Sequence, residues 1–121
     1  MRRFTPTLRK TMNAELNDCI ALCYRCATAC DHCAAACLLD ADASEMSVCI
    51  SLNQQCAALC RVTAQLLTAQ SELSEQLCTI TSMACQLAGW ECQKHQHPHC
   101  QTCAEICLQC ADSCMTVGMA E

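Results

Sequence analysis

The sequence contains little of what usually builds strands, tight turns or a large apolar core. Its 121 residues include two glycines, two prolines and 2% aromatic residues, which disfavours strands and tight turns. Leucine, isoleucine, valine and phenylalanine together number only 21, so a core built from them alone would be thin. No stretch of the length that a membrane helix needs is free of polar interruption, and we therefore predict no membrane span.

Several functional classes also lack their usual signals. The seven basic residues are scattered and the net charge is -5, so we predict no nucleic-acid partner. The chain has no phosphate-binding loop, Ser/His/Asp combination or paired carboxylates, and we do not expect an enzyme. The opening segment at 1–10 contains two adjacent arginines but no apolar run after them, so we expect no secretory signal.

Cysteine is the exception to this scarcity, with seventeen residues. From Cys19 to Cys37 the spacings are 4, 3, 4, 3 and 4, and from Cys100 to Cys114 they are 3, 4, 3 and 4. Residues three and four apart share one face of an α-helix, so thiols occupy positions where a helical bundle normally has leucine. All seventeen are candidate metal ligands: Cys19, Cys23, Cys26, Cys30, Cys33, Cys37, Cys49, Cys56, Cys60, Cys78, Cys85, Cys92, Cys100, Cys103, Cys107, Cys110 and Cys114.

The pattern predicts an all-α protein, an up-down-up-down antiparallel four-helix bundle with a cysteine-lined core. Four long helices joined by short links must pack as antiparallel neighbours, and the length indicates one domain. An N-terminal arm at 1–11 is predicted to precede the bundle at 12–121, with helices at about 12–39, 43–69, 72–95 and 98–117.

Polar residues and proline mark the predicted helix ends. Asp42 and Glu45 have the spacing of a capping box, and Ser71 is a candidate N-cap. Pro98 opens the last helix after a break, because the residue before proline avoids helical geometry. Gly118 is the expected C-cap.

Disulfides do not explain the cysteines. Their number is odd, and Cβ atoms at i and i+4 on one helix lie about 5–6 Å apart, whereas a disulfide needs about 3.8 Å. We therefore expect reduced thiols and a cytoplasmic protein.

Rows of inward thiolates favour a soft metal ion, and their number favours Cu(I). Thiolate selects Cu(I), Zn(II) or iron–sulfur clusters, but the iron–sulfur cysteine motif is absent. Four thiolates around Zn(II) leave two net negative charges, which is costly when repeated in a dry interior. One Cu(I) per thiolate leaves no net charge, so we predict multiple Cu(I) ions per chain.

Each C-x3-C pair is predicted to bind one metal ion through its two thiolates. With a metal–sulfur bond of about 2.3 Å, two sulfurs around a linear ion lie about 4.6 Å apart, within reach of i, i+4 neighbours. The cysteines of the third helix lack such partners and should bind across the bundle or bridge two ions. The predicted pairs are Cys19/Cys23, Cys26/Cys30, Cys33/Cys37, Cys56/Cys60, Cys103/Cys107 and Cys110/Cys114.

The motif C-x3-C-x2-C-x3-C-x2-C-x3-C from Cys19 to Cys37, with cysteine-lined helices from about 12 to 118, resembles the bacterial copper storage proteins. The resemblance implies a homotetramer of four-helix bundles that stores Cu(I) for copper homeostasis and detoxification. It also implies the cytosolic type, which has more cysteines than the exported type and no twin-arginine signal. A copper chaperone or a low-molecular-weight thiol is a candidate donor.

The second helix begins at the bundle end where the link between the third and fourth helices also lies. We call this end the mouth, and the resemblance implies that metal is loaded there. Its candidate ligands are Met46, His95, His97 and His99, because thioether and imidazole also bind soft metals. Asn53 is expected to face inward. The opposite end should be closed by Leu16, Leu66, Leu67, Leu73, Leu77 and Val117.

Two alternatives remain open at this point. A zinc-buffering or zinc-stabilised thiolate bundle would use the same cysteines. A thiol redox protein would use a C-x2-C pair such as Cys23/Cys26 or Cys107/Cys110, although it would need one exposed, activated pair near a helix N-terminus.

Overall fold

The computed structural model describes the backbone of residues 6–118 and the side chains of residues 13–118. This part of the chain contains α1 (Pro6–Leu39), a 3₁₀ turn (Ala43–Glu45), α2 (Ser47–Thr68), α3 (Ser74–Gln93) and α4 (Pro98–Gly118). Within the described range, no helix is both long and apolar enough to cross a bilayer.

The four helices form the predicted bundle. α1 packs against α2 and α4, and α3 packs against the same two helices. Across residues 6–118 the diagonal pairs, α1 with α3 and α2 with α4, make no close backbone approach. This square arrangement confirms the up-down-up-down topology.

α1 begins earlier than the sequence analysis predicted. The helix starts at Pro6, inside the segment 1–11 that was predicted to be an arm. Proline is favoured in the first turn of a helix because its missing N–H has no partner there. The rest of the predicted arm, residues 1–5, lies outside the described residues.

The capping box predicted between α1 and α2 is wrong. Asp42 precedes the 3₁₀ turn but makes no side-chain capping hydrogen bond, and α2 begins only at Ser47. The Asp42 carboxylate instead accepts a hydrogen bond from His97 across the mouth. Here a contact between two links replaces the local interaction that the sequence pattern favoured.

The turn between α2 and α3 is a Schellman motif with Gln70 in the left-handed position. Its φ is 56°, and Gln70 N donates to Leu67 O while Ser71 N donates to Leu66 O. Glycine usually occupies this position because it has no Cβ penalty. The predicted cap residue Ser71 accepts a hydrogen bond from Leu73 N, but α3 itself begins at Ser74.

α3 and α4 approach closely at Gly89. A Cβ at this position would lie 2.8 Å from Leu108 Cδ2, so a larger residue would force the helices or Leu108 to move. Gly118, the predicted C-cap, belongs to α4 and is the last residue that the structure describes. Its missing side chain leaves room for Cys78, whose Cβ would lie 3.2 Å from an added Cβ.

Candidate metal centre

The cysteine faces of α1 and α4 meet along the bundle. Cys19 Sγ lies 3.8 Å from Cys114 Sγ, and Cys30 Sγ lies 3.5 Å from Cys107 Sγ. These helices form one side of a continuous thiol column. Other Sγ–Sγ distances of 3.7–3.9 Å across this interface join Cys23 to Cys110 and Cys114, Cys26 to Cys107, Cys30 to Cys103, and both Cys33 and Cys37 to Cys100.

α2 and α3 complete the column from the other side. Cys85 Sγ on α3 lies 3.5 Å from Cys56 Sγ and 3.7 Å from Cys60 Sγ on α2. Nearer the mouth, Cys49 and Cys92 lie 3.7 Å apart. The expected cross-helix contacts are therefore present for Cys85 and Cys92 of α3. The two sides of the column are joined by the pairs Cys26/Cys56 at 3.8 Å and Cys60/Cys110 at 4.0 Å.

All seventeen thiols are free and buried. Each is 0–1% exposed, so solvent does not compete for them along the length of the column. Several sets have ligand atoms mutually within 4.8 Å, close enough to share one ion. They include Cys26/Cys60/Cys85/Cys110, Cys26/Cys30/Cys56/Cys107, Cys19/Cys23/Cys114, Cys33/Cys49/Cys92 and Cys33/Cys37/His99/Cys100.

These sets combine intrahelical pairs with thiols from neighbouring helices. Of the six predicted pairs, Cys33/Cys37, Cys56/Cys60 and Cys103/Cys107 have Sγ atoms within 4.0 Å, and Cys19/Cys23 and Cys26/Cys30 lie within 4.8 Å. Most of the short distances run between helices. With bonds of about 2.3 Å, sulfurs in a trigonal site lie about 4.0 Å apart, so the short distances between helices also suit three-sulfur sites.

Asn53 is the polar residue that connects the thiols near the mouth. It is 0% exposed, as its inward position in the sequence predicted. Its Nδ2 donates to Cys49 Sγ at 3.3 Å and Cys92 Sγ at 3.4 Å. Its Oδ1 accepts from Cys103 Sγ at 3.1 Å. One amide therefore orients thiols on α2, α3 and α4.

The buried thiols have unequal proton affinities. Burial, together with the charge of neighbouring Cys37, raises the pKa of Cys100 to about 12. Hydrogen bonds from Cys103, Cys26 and Cys30 lower the pKa of Cys107 to about 6. Thiolate is the metal-binding form, so a thiol that holds its proton must release it when metal binds. Metal and protons therefore compete along the column.

The mouth brings one histidine into the thiol column. His99 Nε2 lies 3.6 Å from Cys37 Sγ, and both belong to a set with Cys33 and Cys100 that could hold one ion. Met46 is fully buried in the same core. His99 therefore offers an imidazole beside Cys37, and Met46 adds a thioether to the buried core.

The other two predicted mouth histidines bond to carboxylates. His95 Nε2 lies 2.9 Å from Glu91 Oε2, and this hydrogen bond lowers the pKa of Glu91. His97 Nε2 lies 3.0 Å from Asp42 Oδ1. Neither histidine belongs to the His99 and cysteine set, so only His99 among the three combines with the thiols there.

The opposite end is closed less completely than the sequence suggested. Leu67 and Val117 are each 5% exposed, and Leu16, Leu66 and Leu77 are partly buried. Leu73 is 59% exposed and does not plug the bundle. It precedes α3 in the turn, where its side chain is not directed into the core.

The sequence analysis missed polar groups that the fold brings together. Asp40 and Asp42 meet His97 and His99 at the mouth, which only the adjacency of two links could have suggested. Deeper in the bundle, Thr63 and Thr81 are both buried and hydrogen-bonded at 2.6 Å. Ser82 donates to Ala111 O at 2.8 Å. These bonds satisfy small polar side chains on the inward face of α3 and its neighbour α2.

The known proteins that this chain resembles are copper storage proteins. The family described as "Csp: Copper storage protein" matches residues 12–119. The chain belongs to this family. The Cu(I)-bound copper storage protein BsCsp3 is 34% identical, with a TM-score of 0.82, over 86% of this chain and 98% of that chain.

Two further relatives have different coverage. A cytosolic copper storage protein from Streptomyces lividans, with five coppers, has a TM-score of 0.89 and 30% identity over 93% of this chain and 98% of that chain. An uncharacterized cysteine-rich protein, YhjQ, of Bacillus subtilis is 44% identical over 34 residues. That match spans 28% of this chain and 32% of the relative.

Proposed function

We propose that this copper storage family member binds many Cu(I) ions per chain and stores them for copper homeostasis and detoxification. The observation that carries the proposal is the column of seventeen buried, free thiols. The sets share members, as Cys26 does between two of them, so ions in neighbouring sites would be bridged. Its role is binding and release, without catalytic turnover.

Charge supports Cu(I) over Zn(II) in this column. A Zn(II) ion with four thiolates keeps two negative charges, and a dry interior disfavours repeating that arrangement. A column with one Cu(I) per thiolate is neutral. A thiol redox role is disfavoured because the C-x2-C residues are buried, whereas reactive cysteines need access to a partner.

An anaerobic titration of the fully reduced chain with Cu(I), against a chromophoric chelator, tests this function. We expect tight uptake of about ten or more ions per chain, because thiolates shared between sites allow more than one ion for every two sulfurs. The matched control is the same titration with thiols blocked by alkylation, which should remove nearly all uptake. Saturation at one to about four ions would contradict storage and favour a zinc or redox role.

We further propose that copper enters at the mouth and passes to the thiol column. His99 supports this because its imidazole lies beside Cys37, and Met46, which directly precedes α2, adds a soft thioether to the buried core. His95 and His97 belong to the proposed loading end through their place in the link. The proposed donor is a copper chaperone or a low-molecular-weight thiol, in the cytoplasm, where reducing conditions keep thiols free.

We also propose that the chain assembles as a homotetramer, and an apolar stripe on α3 and the residue before it supports self-association. Leu73, Ile80, Met83, Leu87 and Trp90 follow spacings of 7, 3, 4 and 3, and each is 48–59% exposed. This is the a/d pattern of a helix that packs against another helix.

Replacing Ile80 and Leu87 with glutamate should therefore lower the mass of the assembly. Introducing charges at the centre of an apolar contact leaves them unpaired on burial, which disfavours association. Light scattering after size exclusion would measure the mass. Val62→Glu is the control, since Val62 is similarly exposed, at 42%, but lies on α2 outside the stripe. An unchanged mass for the double variant would place the contact elsewhere.

A further inference from the structure

The outer side of the bundle has a groove between α1 and α4. Its volume is about 650 Å³, and it follows both helices from His32 to Arg25 on α1 and from His99 to Ile106 on α4. Seven residues are about two turns of each helix, so the groove leads from the mouth end toward the middle of the bundle. A volume of this size suits a small molecule, whereas a folded protein would cover the groove without entering it.

The charges around the groove favour an anionic ligand. Arg25 and His32 are exposed along the α1 wall, and neither makes a hydrogen bond or ion pair with any residue in the range 13–118. Within that range no aspartate or glutamate lines the groove, although the whole chain has a net charge of -5. A guanidinium binds a carboxylate through two parallel hydrogen bonds. The groove is therefore suited to a small molecule that has a carboxylate.

Cys103 connects this groove with the thiol column. Of the seventeen cysteines it is the one that lines the groove, and it is 1% exposed while the others are 0% exposed. Its Sγ lies 3.8 Å from both Cys30 Sγ and Cys107 Sγ. A Cu(I) ion that reached Cys103 from the groove would find its next sulfur ligand in either neighbour.

The geometry points to this groove as the docking site of a small, carboxylate-bearing thiol that delivers Cu(I) to Cys103. The inference rests on the proposed storage function and gives the small-thiol donor a binding site on the side of the bundle. The donor carboxylate pairs with Arg25, and its aliphatic part lies against Ile106. Copper remains Cu(I) throughout. A bond forms between copper and Cys103 Sγ, the bond to the donor sulfur breaks, and the Cys103 proton passes to the departing thiolate.

S-methylglutathione tests docking without copper transfer. This tripeptide has free carboxylates, but its methylated sulfur cannot become a thiolate. During titration of the reduced full chain, NMR shifts should concentrate at the amides of Thr28, Thr102 and Ile106. Arg25→Gln should weaken binding about threefold or more, because an ion pair is lost. Arg61→Gln makes the same change on α2, outside the groove, and should bind the probe as the parent chain does.

Three results of this titration would overturn the proposal. They are no binding of the probe, equal weakening by the two arginine variants, and shifts confined to another face of the bundle. The third result would include a groove that a second copy of the chain covers in the assembly.

Copper transfer from Cu(I)–glutathione provides the second test. Thr102→Trp fills the groove without removing a metal ligand and should slow the initial transfer at least about threefold, because the donor is no longer positioned. Gln109→Trp places the same side chain at an exposed site of α4 outside the groove and should not slow it. Equal transfer rates for the two variants would overturn the proposal. The final copper content is measured in the same samples, so a failure of storage would be seen separately from a failure of docking.

Discussion

Loading the reduced chain with Cu(I) is expected to raise its unfolding temperature by more than about 20 °C. An ion that binds only the native state raises the free energy of unfolding by about 2.7 kcal/mol when its free concentration is 100 times its Kd. About ten ions would contribute on the order of 20 kcal/mol or more on this basis. The unfolded chain also offers thiols, so only part of this stabilisation remains. Circular dichroism during anaerobic heating would measure the shift.

The thermal shift should depend on the centre of the thiol column. Cys26 and Cys107 lie 3.8 Å apart, and both belong to a set that spans three helices. Replacing both with serine should shrink the copper-induced shift, because the central bridged sites lose two ligands. Thr28→Ser is the control, since Thr28 is exposed on α1. If loaded and apo chains melted at the same temperature, copper would not be held within the folded bundle.

Replacing Asn53 with aspartate is expected to destabilise the apo bundle by about 3 kcal/mol or more. The side chain is fully buried. Its amide N–H groups donate hydrogen bonds to two thiol sulfurs, and an ionised carboxylate has no hydrogen with which to make these bonds. Ionised aspartate would be an unpaired buried charge, and protonated aspartate would have only one hydrogen to donate. Urea unfolding at neutral pH under reducing conditions would measure the loss.

The neighbouring residue provides the control for this charge change. Gln54 is exposed on the same helix, so Gln54→Glu also converts an amide to an acid but should change stability by less than about 0.5 kcal/mol. Equal stability losses in the two variants would show that the hydrogen bonds of Asn53 to the thiols do not matter for folding.

The thiol-lined interior could be predicted because helical periodicity is a local property. Spacings of three and four place residues on one face whatever the partner helix is, and all seventeen cysteines are indeed buried. The inward position of Asn53 was predicted from the same periodicity. The helix ends were less predictable, because Asp42 has the local pattern of a cap but bonds to His97 from another link.

Which thiols meet could not be predicted, because it depends on how helices are rotated and offset against each other. The sequence favoured pairs such as Cys26/Cys30 within one helix, and these two do share a set, but Cys56 and Cys107 from other helices join them there. Close approaches such as that of Gly89 to Leu108 help set the offset of neighbouring helices. A single-helix pattern contains no information about this offset.

The sequence by itself determined the helices, their antiparallel order and the soft-metal chemistry of the interior. The spacing of three and four determines the helices, the short links determine their antiparallel order, and the thiols determine the metal chemistry. Only the tertiary structure decided which sulfurs share a site, that His99 joins them while His95 bonds to Glu91, and that Asp40 Oδ2 is left without a hydrogen bond. Those outcomes depend on distances of a few ångströms between residues far apart in the chain, and packing of whole helices sets such distances.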